Sequence, residues 1–85
     1  MQRSAPGADG ADRCIYDARV LDPGDRRTMI WGVSLLEGGR CVNRLRVHAR
    51  PQGYELLPGS RPVAHGSYPV FIRGPGYEVT LSLPL

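Results

Sequence analysis

A chain of 85 residues makes one small domain, and at that size folding buries only about 60% of the surface the unfolded chain exposes. Hydrophobic residues at 41% and charged residues at 22% exclude a wholly disordered chain, and no run of eighteen apolar residues offers a membrane-spanning helix. The formal charge of +3 is unevenly spread: residues 1–25 hold three arginines against five aspartates, whereas residues 26–85 hold eight arginines against three glutamates. A basic body of this kind suits an anionic partner.

Residues 1–12 (MQRSAPGADGAD) are small, polar and turn-rich, and read as a flexible leader to a single β domain over residues 13–85. Met1-Gln2-Arg3 leads into Ala, Gly and Asp rather than an apolar stretch, so no signal peptide is read and a reducing, cytoplasmic location is expected. On that ground Cys14 and Cys41 read as small buried thiols, with a disulfide between them as the lesser alternative. The order Cys14, Cys41, His48, His65 lacks the paired ligands of a zinc site, and neither a metal nor another cofactor is expected.

Residues 14–21 alternate and form the first expected strand, closed by the turn Asp22-Pro23-Gly24-Asp25. The second covers residues 27–36, with Met29, Trp31, Val33 and Leu35 on one face. Glu37-Gly38-Gly39 turns the chain into a third, from Arg40 to about Arg50, and a short fourth follows at Tyr54–Leu57. From Pro58 onward the density of Pro and Gly rejects a helix. Two apolar runs remain there, Tyr68–Arg73 and Tyr77–Leu83, around Gly74-Pro75-Gly76. The expectation is all-β: a small antiparallel meander or open barrel of about six short strands, with little or no helix.

A three-residue turn at Glu37-Gly38-Gly39 sets the register of the central hairpin. It gathers Trp31, Val33, Leu35, Leu45 and Val47 on a core face and places Arg44, Arg46, His48 and Arg50 on the other. The opposite register would leave Trp31 wet or bury it beside arginines, forfeiting roughly 1.5–3 kcal/mol for each large side chain left out. Outward residues two apart on a strand stand about 6.5–7 Å from one another, close to the phosphate repeat of an extended nucleic acid. Gly32 and Ser34 beside the row would allow a ligand to approach closely. The expected binding residues are therefore Arg40, Arg44, Arg46, His48, Arg50 and Arg73.

The expected function is non-enzymatic binding of single- or double-stranded nucleic acid with weak sequence preference, by a small regulatory protein. The alternative is a protein-interaction module, such as a phage or mobile-element inhibitor that binds an acidic surface of a host protein. No nucleophile elbow, phosphate loop or metal cluster is present in the sequence, and no carboxylate is placed to orient His48 or His65, so catalysis is not expected. Strand edges with little chain to cover them suggest a homodimer.

The order of these parts resembles the septation-protein SpoVG family over residues 15–61: I-x-x-A-R-V from Ile15 to Val20, V-S-L at Val33-Ser34-Leu35, L-x-V from Leu45 to Val47, Gly53-Tyr54, and P-x-x-R from Pro58 to Arg61. The resemblance implies a twisted sheet, dimerisation and nucleic-acid binding. That family closes with a charged C-terminal helix implicated in DNA contact, whereas residues 62–85 here read as a Pro/Gly-rich hairpin. No binding residue is carried over from that helix.

Overall fold

Asp22-Pro23-Gly24-Asp25 reverses the chain as its composition requires. The Asp22 carboxylate accepts a hydrogen bond from the Gly24 amide at 2.7 Å, the short-range bond by which Asp stabilises a turn. This turn joins β1 (Asp17–Asp22) to β2 (Asp25–Leu35) in a computed structural model that describes residues 14–85. The expected leader, residues 1–12, lies outside the described residues, as does Arg13. Three further strands follow: β3 (Tyr54–Leu56), β4 (Ser67–Gly74) and β5 (Tyr77–Pro84).

The fold is all-β, as expected, with five antiparallel strands in one open sheet of order β3-β2-β1-β4-β5. It is not a simple meander. After β3 pairs with β2 on one side, the chain passes to the other side of β1, where β4 pairs with it from Asp17↔Arg73 to Val20↔Val70. The β4–β5 hairpin closes on Pro75-Gly76. Proline presets the first turn position, and Gly76 supplies the left-handed backbone at φ 77° that the second requires.

Directly opposed residues share a face, so the register defines the core. Ala18 lies opposite Val33 and Ile72, and Val20 opposite Trp31 and Val70. Ile15, Ala18, Val20, Trp31, Val33, Tyr54 and Val70 form the buried cluster. Trp31 is a core residue, as expected, with 6% of its surface exposed.

The expected third strand, Arg40 to Arg50, does not form, which reduces six expected strands to five. The outer edge of β2 is already occupied. Val33–Leu35 pair with β3, and the amides of Leu57 and Arg61 donate to the carbonyls of Gly32 and Ile30 at 2.9 and 2.8 Å. With that edge of β2 taken, residues 36–53 run as irregular chain, and Val42, Leu45 and Val47 pack down onto the core. The inward sorting of Leu45 and Val47 survives without the hydrogen-bonded ladder that was expected to enforce it.

Candidate binding surface

A long loop without regular structure must be held by specific contacts, and three groups hold residues 36–53. Cys14 and Cys41 form a disulfide. This corrects the expectation of two thiols, which followed from the presumed compartment and not from geometry. Tyr54, fully buried, donates its phenol hydrogen to the Ile15 carbonyl at 2.5 Å and accepts the Val42 amide at 2.9 Å. The Ile15 amide in turn donates to the Val42 carbonyl at 2.9 Å, which joins the loop to the start of β1. The phenol thus satisfies two backbone groups, the Ile15 carbonyl buried and the Val42 amide partly so, where an unpaired one is costly.

His48 supplies the third anchor. It adopts a left-handed backbone at φ 69°, a conformation uncommon for a residue with a Cβ. Its Nε2 accepts the Val63 amide at 2.7 Å, and the ring meets Trp31 edge-on with centroids 6.5 Å apart. An accepting Nε2 places the proton of the neutral ring on Nδ1. His48 therefore ties the loop to residues 61–65, whereas the sequence reading made it a member of the cationic row.

The remaining expected binding residues divide into free and committed cations. Arg40, Arg44 and Arg46 are exposed, and the ion pairs found among the described residues engage other arginines, Arg27 and Arg73. Arg44 and Arg46 flank the inward-facing Leu45, and Arg40 stands beside an open groove with Gly38, Val42, Gln52 and Gly53. Arg50 donates from Nη1 to the Tyr54 carbonyl at 3.0 Å and so closes the base of the loop. Because these residues are not on a strand, the spacing argument for one cation per phosphate does not apply. Gly32 does not open the sheet to a ligand either. It is buried, and a Cβ there would meet Met29 Sδ at 2.7 Å and Leu57 Cδ1 at 3.0 Å.

Arg73 lies on the other face of the sheet and is committed to Asp17. Its Nε donates to the buried carboxylate at 2.7 Å, its Nη2 pairs with the same oxygen, and its guanidinium carbon stands 5.7 Å from the centre of the Tyr16 ring. Burial alone would push the Asp17 carboxyl up. Hydrogen bonds from Ser34 and Arg73, with the charges of Arg73 and Arg19, outweigh it and hold the group below its ordinary 3.8. In register, Glu55, Ser34, Asp17, Arg73 and Glu78 form one polar row across the sheet. Arg73 is a structural residue of this row and is committed to Asp17.

Between loop and sheet lies an apolar cleft of about 250 Å³ whose walls include Trp31, Leu45, Val47, Val70, Ile72 and Leu83. No group of three or more His, Cys, Asp or Glu side chains among the described residues is arranged to hold a metal ion, and no helix among them is long and apolar enough to cross a membrane. The sequence reading missed Cys14, Cys41 and Tyr54 as the residues that fix the loop. The pair of cysteines was the signal for the first two, and the apolar alternation on either side of Arg44 is also what an extended segment lying across a core would show. No family model matches the chain, and no curated protein or solved structure is significantly similar to it.

Proposed function

We propose that this protein is a non-catalytic interaction module that presents the loop arginines Arg40, Arg44 and Arg46 to an acidic surface of a partner protein. One observation carries the reading: Leu45 and Val47 are packed inward on a segment tethered at Cys41 by a disulfide to Cys14, which leaves Arg44 and Arg46 outward on a pinned segment. Pinning lowers the entropy cost of binding, and arginine pairs carboxylates with two parallel hydrogen bonds. A disulfide in this position supports an oxidising compartment in place of the reducing cytoplasm expected from the sequence.

A second reading, electrostatic binding of single- or double-stranded nucleic acid, is favoured by the excess of arginine over residues 26–85. The likeness of residues 15–61 to the SpoVG family belongs with this reading. With Trp31 and Tyr54 in the core, it would rely on charge with little base stacking.

Capture on the immobilised protein from nuclease-treated host extract separates the two. The interaction reading expects one protein to be retained at low salt and lost when Arg40, Arg44 and Arg46 are all changed to Glu. Retention that ignores those changes refutes it. Arginine-dependent anisotropy of a labelled oligonucleotide, with nothing captured from the extract, moves the assignment to nucleic acid.

A further inference from the structure

Edge strands are normally guarded by charge, proline, bulges or brevity. The β3 edge of this sheet follows that rule: β3 has three residues, and the Arg50 guanidinium occupies the Tyr54 carbonyl. The β5 edge does not. It runs for eight residues, pairs with β4 without a bulge from Ser67↔Pro84 to Gly74↔Tyr77, carries no Lys or Arg, and has proline only at its last position. In a two-residue hairpin the residues flanking the turn exchange both main-chain bonds, and alternate residues beyond them turn theirs outward. The N–H and C=O groups of Glu78, Thr80 and Ser82 therefore point away from the sheet. On the core side of the same strand, Val79 and Leu81 are 37% and 41% exposed.

We propose that β5 is a self-association edge, and that two copies pair β5 against β5 antiparallel, with Thr80 opposite the partner's Thr80. This register matches every outward group. Thr80 pairs with its counterpart, and Glu78 pairs with Ser82 of the partner subunit in both directions, which allows six main-chain hydrogen bonds. It also places Val79 against the partner's Leu81 at a non-hydrogen-bonded position, where opposed side chains approach most closely. The apolar face of β4 and β5 then continues across the junction.

Other registers do worse. A slip of one residue throws the apolar pair onto opposite faces. A slip of two toward the C-terminus pairs Glu78 with the partner's Pro84, which has no N–H to give. Charge permits the assembly as well. Glu78 is the only charged side chain on β5, and in this register the two copies of it stand about 14 Å apart, beyond the roughly 8 Å screening length at physiological salt.

A single strand edge lies at the small end of interface sizes, below about 1,200 Å², so the dimer should be concentration-dependent. Sedimentation velocity up to roughly 1 mM, the weak limit of specific association, tests it. The wild type should shift from monomer to dimer as concentration rises. Thr80→Pro removes an outward N–H and no bond to β4, so it should stay monomeric with an unchanged circular dichroism spectrum. Leu81→Arg should weaken the dimer at least about tenfold by placing charge in the apolar pair. A wild type that remains monomeric throughout, or a dimer that survives both substitutions, overturns the proposal. The first result would leave the edge to an extended segment of a different protein.

Discussion

Tyr54→Phe is the most incisive perturbation of the loop, because it removes one oxygen and nothing else. The ring stays in its fully buried site, while the Ile15 carbonyl loses its donor and the Val42 amide loses its acceptor. Each stranded buried group costs about 1–3 kcal/mol. The remaining bond from the Ile15 amide to the Val42 carbonyl limits how far the loop can move to recover water. A total loss of roughly 2–6 kcal/mol follows from these two groups, a large share of the 5–15 kcal/mol typical of a domain. Urea unfolding followed by tryptophan fluorescence reads it directly, since Trp31 lies in the affected core. With a slope near 1 kcal/mol/M for so small a chain, the midpoint should fall by about 2 M or more with the slope unchanged. Amide exchange at Val42 should accelerate at least about tenfold, which corresponds to 1.4 kcal/mol. A midpoint shift below roughly 0.5 M would mean that the phenol does not anchor the loop, and the account of how Arg44 and Arg46 are held outward would fail with it.

Two further outcomes follow from the same contacts. Replacing Cys14 and Cys41 together by Ala opens a loop with a sequence separation of 27, which chain entropy values at roughly 3.5 kcal/mol; a melting temperature unaffected by this change or by reductant would contradict it. Asp17→Asn should cost about 1.5–3 kcal/mol near neutral pH, the worth of a hydrogen bond to a charged group. Since the folded carboxyl titrates below its ordinary 3.8, the stability it adds is complete above that value and lost as pH falls beneath it. The unfolding curves of the wild type and the Asp17→Asn variant should therefore converge in strong acid, and a gap that stays constant there would refute the Asp17–Arg73 assignment.

Much of the sheet was legible because local chemistry and the final environment agree. Asp22-Pro23-Gly24-Asp25 and Pro75-Gly76 admit little except turns, and Trp31, Val33 and Leu35 share the core face that their alternation predicts. Met29 does not join them, because the register shift between Val20 and Leu21 turns it to the other face beside Gly32, and Ile30 and Gly32 are buried as well. Residues 40–50 deceived because alternation reports only that every second side chain faces something apolar. An extended segment lying across a core satisfies that condition as well as a strand within a sheet. What separates the two is competition for the β2 edge, which was decided by residues 54–61, too distant in sequence to enter a local reading. The cysteines were misjudged for a different reason. A pairing across 27 positions depends on which segments meet, and an inferred compartment is a poor substitute for that knowledge. The apolar run Tyr77–Leu83 does form a strand, but its apolar side is partly covered only at Tyr77 and Leu83, while Val79 and Leu81 stay open.

The division of labour within residues 42–47 bears on how such a protein can change over generations. Val42, Leu45 and Val47 are constrained by the packing beneath them, whereas Arg44 and Arg46 face water and contribute little to folding. Mutation can therefore redraw the outward pair without passing through unfolded intermediates. For the same reason the segment would accept transplanted recognition residues in a laboratory library, provided the inward positions and both cysteines were left alone.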